Sequence, residues 1–451
     1  MYVRYHNSLL KQTNSSPDCT AGSARIVYPE LTMHKRKHIL VISFPALGHY
    51  LPLLELAKRL VAHHEITVTY SQANLSNLER RHILPPAPIK LLPLADQLTT
   101  DFEEGVNDVK QIVKTMDSTE LFYPDFCRNL PQSCNQPIDA VIIDSVFYAT
   151  FSPLQEVKVK VYSFNAFPIS MTLKRLMITD STPTVADNEY FTKGWAGVPQ
   201  SLKVLAMKVN KSMDHMETMI FSSFEDLEPG AVETLKKFKP NLDVKFVGPL
   251  LHFNEHVPDN KVTDFLDRKL ARSVVYVSFG TVAIMSAEQI AQVAEALLSL
   301  KRPFIWSLRP AQLELLPSKI THATDDHLIL PWVPQKHILS HKATAVFVSH
   351  CGWNSTLEAL SYGIPIVAWP SFGDQLVNAA LVEKLETGLM IKSRNTVSSD
   401  EIVGTIEKVA GWNGSADRYA QNAEELKVKA MMAVAPDGKS TQDLLQIVKD
   451  V

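Results

Sequence analysis

Between Trp332 and Gln375 the chain runs through an aromatic before a Pro-Gln turn, an apolar strand, a polar turn at Gly352, a helix, a second apolar strand and another polar turn. This order constrains the fold more than any other stretch. Apolar strands alternating with helices belong to a parallel sheet covered on both faces, and in such a sheet the turns at the carboxyl edge carry the ligand groups. That edge here holds His350, then Gly352-Trp353-Asn354-Ser355 at a helix start, Glu358 one turn on, and Asp374-Gln375 after the next strand.

The first N–H groups of a helix lack internal partners and carry partial positive charge, so the turn before Trp353 suits a phosphate or diphosphate. His350, Asn354 and Ser355 would add side-chain donors. Glu358 would repel phosphate but can accept from sugar hydroxyls, which points to the ribose of a nucleotide. Asp374 and Gln375 suit a hydroxyl-rich ligand. Each residue taken singly also has a plain structural reading: a loop histidine, an Asn-Ser cap, an Asp-Gln helix start.

A second unit of the same kind lies near the start of the chain. The run HILVISF from His38 reads as a buried strand, and a helix is predicted from about Pro52 to His63, with Pro52 in its first turn and Leu53, Leu56 and Leu60 on its apolar face. His49 stands at the junction, either as a helix-start residue or as an imidazole placed in a cleft. A strand over 139–144 ends in Asp144. That carboxylate is either a turn former or a partner able to hold the tautomer of His49.

A chain of 451 residues, 45% hydrophobic, is ample for two cores. A net charge of −3 gives no electrostatic footprint for nucleic acid. The basic run His34 to His38 reads as a solvated lead-in to the first strand. Cys19, Cys127, Cys134 and Cys351 have no metal-ligand or disulfide-framework spacing, so reduced thiols in a cytoplasmic protein are expected. No stretch reaches about 18 consecutive apolar residues, so no membrane span is expected. Residues 1–33 lack the apolar core of a secretory signal and are expected to be a disordered extension, with the natural start at Met33.

Helix starts are marked by capping-box spacing at Ser286/Gln289 and at Ser398/Glu401. A helix is predicted over 374–388 with a glycine stop, and another over 417–435. The domains expected are 34–250, a linker at 251–263, 264–435, and a C-terminal helix over 436–451. Phe147, Phe164 and Phe167 belong to an aromatic-rich segment, most of it core, from which an apolar pocket could draw walls.

The stretch from Trp332 resembles the signature box of plant-type secondary-product UDP-glycosyltransferases. The residues carrying the resemblance are Trp332, Val333, Pro334, Gln335, Leu339, His341, His350, Gly352, Trp353, Asn354, Ser355, Glu358, Pro365, Pro370, Asp374, Gln375, Asn378 and Ala379. Gly48-His49-x-x-Pro52 matches the Gly-His-x-x-Pro of the same family.

The resemblance implies an α/β fold of the GT-B type, with two Rossmann-like, doubly wound parallel-sheet domains facing across a cleft. It implies an inverting hexosyl transfer from a UDP-sugar, UDP-glucose by Gln375, to a hydroxyl of a small apolar acceptor. His49 would be the base and Asp144 its partner. Trp332 would stack on uracil, the Val333 backbone would bind its edge, and Gln335 and Glu358 would hold the ribose. His350, Asn354, Ser355 and Thr281 would take the diphosphate, with Gly352 in the same turn, and Asp374, Gln375 and Trp353 the sugar. Phe147, Phe164 and Phe167 would touch the acceptor. Asn165-Ala166 departs from the Ser or Thr that many relatives place beside the donor sugar. The C-terminal helix would return to the first domain, the protein would be a monomer, and no cofactor or metal is implied. Two rival readings share this architecture: a catalytically silent nucleotide-sugar-binding protein and a UDP-sugar epimerase.

Overall fold

The computed structural model describes residues 35–96, 109–130, 136–184, 198–251, 260–280, 285–320, 323–371, 373–393, 397–414 and 417–451. The expected N-terminal extension, Cys19, Cys134, Thr281 and residues 252–259 of the expected linker lie outside them.

Two parallel sheets organise the described chain. The first has seven strands, β1 His38–Ile42, β2 Glu65–Ser71, β3 Lys90–Leu94, β4 Ala140–Asp144, β5 Lys160–Asn165, β6 Thr218–Phe221 and β7 Asp243–Phe246, in the order β3-β2-β1-β4-β5-β6-β7. The second has six, β8 Val274–Ser278, β9 Phe304–Ser307, β10 His327–Leu330, β11 Thr344–Ser349, β12 Ile366–Ala368 and β13 Gly388–Met390, in the order β10-β9-β8-β11-β12-β13. Strand order reverses between β1 and β4 in one sheet and between β8 and β11 in the other. Crevices for ligands open at such switch points. The central strands β1, β4, β8 and β11 are buried along their whole length, because helices cover both faces of each sheet.

Several boundaries differ from those the sequence predicts. The first helix spans Leu47–Leu60, so His49 sits within its first turn and Pro52 lies inside it. The helix predicted over 374–388 stops at Lys384, and Gly388 begins β13. A side chain at Gly388 would lie 1.9 Å from the Ile366 carbonyl, so this glycine permits strand pairing rather than ending a helix. Residues 260–263, expected in the linker, form the first turn of helix Asn260–Asp267. Ser286 and Ser398 accept the N–H of Gln289 and Glu401. The Gln289 and Glu401 side chains instead bind the backbone at Val397 and at Lys392 and Ser393.

The basic lead-in does more than face solvent. Arg36 donates to the Val61 and His64 carbonyls at the end of the first helix, and Lys37 pairs with Asp139 at 3.1 Å. The C-terminal helix Lys439–Asp450 lies against β7. There Asp443 accepts the Phe246 N–H at 2.9 Å, and His64 Nε2 donates to the Val448 carbonyl at 3.0 Å. No helix among the described residues is long and apolar enough to cross a membrane.

Candidate functional site

A cavity of about 860 Å³ opens where the carboxyl edges of the two sheets face each other. Gly48, His49, Pro52 and Ala166 line it from the first sheet. Gly280, Trp332, Val333, Gln335, His350, Gly352, Trp353, Asn354, Ser355, Glu358 and Asp374 line it from the second. Fold topology thus brings together residues that the sequence places at opposite ends of the chain.

On the first-sheet side, β1 delivers the helix start that carries His49, and β4 ends at Asp144. His49 Nδ1 lies 2.7 Å from Asp144 Oδ2. Asp144 is fully buried, and its other oxygen accepts the Val146 N–H at 3.1 Å, so the carboxylate is pinned. With Nδ1–H donated to the carboxylate, Nε2 carries the lone pair. The side chain of His49 keeps 24% of its surface open. Burial works against the charged imidazole, but the charge and hydrogen bond of Asp144, helped by Asp374, hold His49 above its ordinary value of 6.5. Asp374 belongs to the other side of the cavity. Burial pushes its carboxyl up, against the hydrogen bond from Asn378 and the charge of His49. The two groups therefore sense each other across the cleft.

On the second-sheet side the signature stretch folds around helix Trp353–Ser361, whose N-cap is Gly352. His350 stands between two glycines: a side chain at Gly280 or at Gly352 would each lie 2.6 Å from its Nε2. Gly280 also has φ +70°, which favours glycine. Burial pushes His350 down to about 4, so it is neutral at physiological pH. Gln335 is held from three directions. It accepts from Tyr276 Oη at 3.0 Å and donates to Ser355 Oγ at 3.1 Å and Glu358 Oε2 at 2.7 Å. Trp332 remains 49% exposed on the cavity wall, and Val333 is buried beside it.

Some expected site residues are engaged elsewhere. Trp353 spends its indole N–H on the Ser222 carbonyl at 2.8 Å, so it ties the second sheet to the first rather than offering that donor to a sugar. Gln375 is buried off the cavity wall, and its side-chain oxygen accepts the Ser371 N–H at 2.8 Å. Phe147, Phe164 and Phe167 are buried and none lines the cavity. Phe147 packs between Phe44 and Tyr123, Phe164 is inside β5, and Phe167 carries the Arg175 guanidinium 4.7 Å above its ring.

Two residues given no role by sequence reasoning hold the site together. Tyr276 orients Gln335, and its presence in the middle of a buried strand was the available signal, since a buried phenol needs a partner. Asn378 donates to the Cys351 carbonyl at 2.8 Å and to Asp374 at 2.6 Å, joining both polar turns.

Comparison with known proteins bears on the family and the fold. The family model described as UDP-glucoronosyl and UDP-glucosyl transferase matches residues 177–427, more than half of the chain. UDP-glycosyltransferase 74D1 of Arabidopsis thaliana is 27% identical over 466 residues, covering 92% of this chain and 98% of that protein. Anthocyanidin 3-O-galactosyltransferase of Rhododendron delavayi is 35% identical over 264 residues, 55% of each chain. Among solved structures, Os79 from O. sativa in complex with U2F and trichothecene superposes with a TM-score of 0.77 at 23% identity, covering 91% of this chain and 99% of that one. A UDP-glucosyltransferase from Polygonum tinctorium gives 0.77 at 25% identity, covering 93% and 99%.

Proposed function

Because this chain belongs to the UDP-glucoronosyl and UDP-glucosyl transferase family, a family of UDP-sugar-dependent transferases, we propose that it moves glucose from UDP-glucose to a hydroxyl of a small apolar acceptor, with inversion at C1. The observation that carries the mechanism is the 2.7 Å contact between His49 and Asp144 on the wall of the cavity that also holds the signature stretch.

In this reading the acceptor hydroxyl gives its proton to His49 Nε2 as its oxygen attacks C1 from the face opposite UDP. The C1–O bond to the diphosphate breaks, and Asp144 stabilises the imidazolium. Negative charge grows on the departing diphosphate, where the helix start at Trp353, with Asn354, Ser355 and neutral His350, supplies donors. Trp332 would stack on the base, with the Val333 backbone at its edge. Gln335 and Glu358 would meet the ribose, and Asp374 the sugar. Thr281 keeps its expected place at the diphosphate on resemblance alone. No step calls for a metal.

The glucose preference rests on the family association of Gln375. Its buried position means that it would act on the sugar through the turn it shares with Asp374. Purified protein incubated with UDP-glucose and a mixed aglycone library, followed by mass spectrometry for added hexose, tests the transfer. Competition among UDP-glucose, UDP-galactose, UDP-xylose and UDP-GlcNAc tests the donor. Absence of any hexosylated product, or a donor other than glucose winning, overturns the corresponding half.

A further inference from the structure

Pro52 lies inside helix Leu47–Leu60, where a residue ordinarily donates its N–H to the carbonyl four positions earlier. For position 52 that carbonyl belongs to Gly48. Proline has no N–H, and its ring crowds the carbonyl at i−4 outward, so the Gly48 oxygen is left without its helical donor. The ladder around it is otherwise in place, with Tyr50 donating to Ala46 at 2.9 Å. The vacant oxygen is taken from across the cleft: Asn354 Nδ2 lies 3.0 Å from Gly48 O. The amide has a second N–H, which has no partner among the described residues.

We infer that Pro52 and Asn354 are positioning residues acting as a pair: Pro52 releases the Gly48 carbonyl so that Asn354 can grip it and fix the helix turn bearing His49 against the diphosphate end of the donor site. The inference rests on the proposed transfer and adds to it a reason for the spacing of Gly48, His49 and Pro52. A proline four residues after the glycine frees the carbonyl adjoining the base, and no other spacing would free that one. One N–H of Asn354 holds Gly48 while the other is available to a diphosphate oxygen, so donor binding and base placement share one side chain. Trp353, the preceding residue, makes the companion tie to Ser222 at 2.8 Å, so the helix start is docked on the first sheet at two points.

The test is a double-mutant cycle of Pro52→Ala and Asn354→Ala. Alanine at 52 restores an N–H that draws the Gly48 carbonyl back into the helix and is far the better helix former. Its expected effect is a kcat lowered about fivefold, the worth of one ordinary hydrogen bond, with the UDP-glucose KM within twofold and no loss of stability. The double variant should be no slower than Asn354→Ala alone. A purely structural role for Pro52 would instead make activity follow stability. Wild-type kcat in Pro52→Ala, or losses that multiply in the double variant, overturns the inference. Pro52→Ser supplies the same N–H should Pro52→Ala not fold. If the wild-type protein transfers no sugar to any acceptor, the functional reading falls separately, and coupling between the two substitutions in urea unfolding still decides the pairing.

Discussion

His49 and Asp144 are 95 residues apart in the chain and 2.7 Å apart in space, joined across the boundary where the strand order of the first sheet reverses. Asp144 does two things there: it holds Nδ1–H, which leaves Nε2 basic, and its charge raises the imidazole's affinity for a proton. Asp144→Asn keeps the size but removes the charge. Since transfer needs neutral His49, activity falls as pH drops through the His49 value, and that value lies above 6.5 in the parent. The variant should therefore shift the acid limb of the pH–kcat profile to lower pH while its plateau falls about 10²-fold or more. A limb that stays in place would remove Asp144 from this role.

Removing the imidazole separates chemistry from donor binding. His49→Ala is expected to lower kcat by about 10²- to 10⁴-fold, the usual worth of general-base assistance. Its UDP affinity should stay within a few-fold of the parent, because the signature stretch is untouched. Calorimetric titration with UDP beside steady-state rates checks both halves.

The two glycines around His350 make a steric prediction. Gly352 has φ −57°, which any residue can adopt, so Gly352→Ala introduces only the clash of its methyl group with His350 Nε2 at 2.6 Å. Overpacking of this kind costs about 1–3 kcal/mol. The imidazole must also move away from the helix start, so UDP should stabilise the variant less than the parent. Melting curves with and without UDP read both effects. Gly280→Ala adds an unfavourable positive φ to the same clash and should be worse.

How much of this was legible in the sequence depends on whether the deciding contact is local. The alternation of strands and helices along the chain and the helix start at Trp353 follow from the periodicity of apolar runs, and the cavity residues from Trp332 to Asp374 lie in one contiguous stretch. Pro52 misled the first helix, because a proline is a common first-turn residue and its role here depends on Asn354, 306 residues away. Local spacing does not show where the Trp353 indole N–H goes, because its partner carbonyl at Ser222 follows β6 of the other sheet. Phe147, Phe164 and Phe167 show the same limit, since composition makes an aromatic apolar but does not say whether it faces a cavity or a neighbouring ring. The placement of Gln375 is set by a short-range contact, the Ser371 N–H, which a turn preceding a helix can form without any periodic signal.

Acid sensitivity follows from histidines held neutral inside the fold. Burial lowers the proton affinity of His38, His64 and His350 below the ordinary 6.5, for His350 to about 4. Between those values the unfolded chain binds protons that the native chain refuses, so native stability falls as pH drops from about 6.5 toward 4. His49 has the opposite sign, since its raised value adds stability that is full below 6.5 and lost as pH rises through the folded value, and the Asp374 and Glu228 carboxyls, raised by burial, likewise favour the native state as pH falls. Asp139, Asp214 and Glu401, whose carboxyls are lowered, act in a separate window, at and below their unfolded values near 4. The urea midpoint should therefore fall less between pH 7 and pH 5 in His64→Gln than in the parent, because the variant lacks one histidine that the fold keeps neutral. His64 gives the loss a location. As a neutral ring it accepts the Lys37 N–H at Nδ1 and donates to Val448 at Nε2, and protonation removes the acceptor. Protection of the Lys37 amide against hydrogen exchange, corrected for the intrinsic rate at each pH, should then fall at pH 5 before the central strands of either sheet respond, while the bond to Val448 in helix Lys439–Asp450 persists because the imidazolium still donates from Nε2. Unchanged protection at Lys37 would show that His64 does not hold this lead-in to β1.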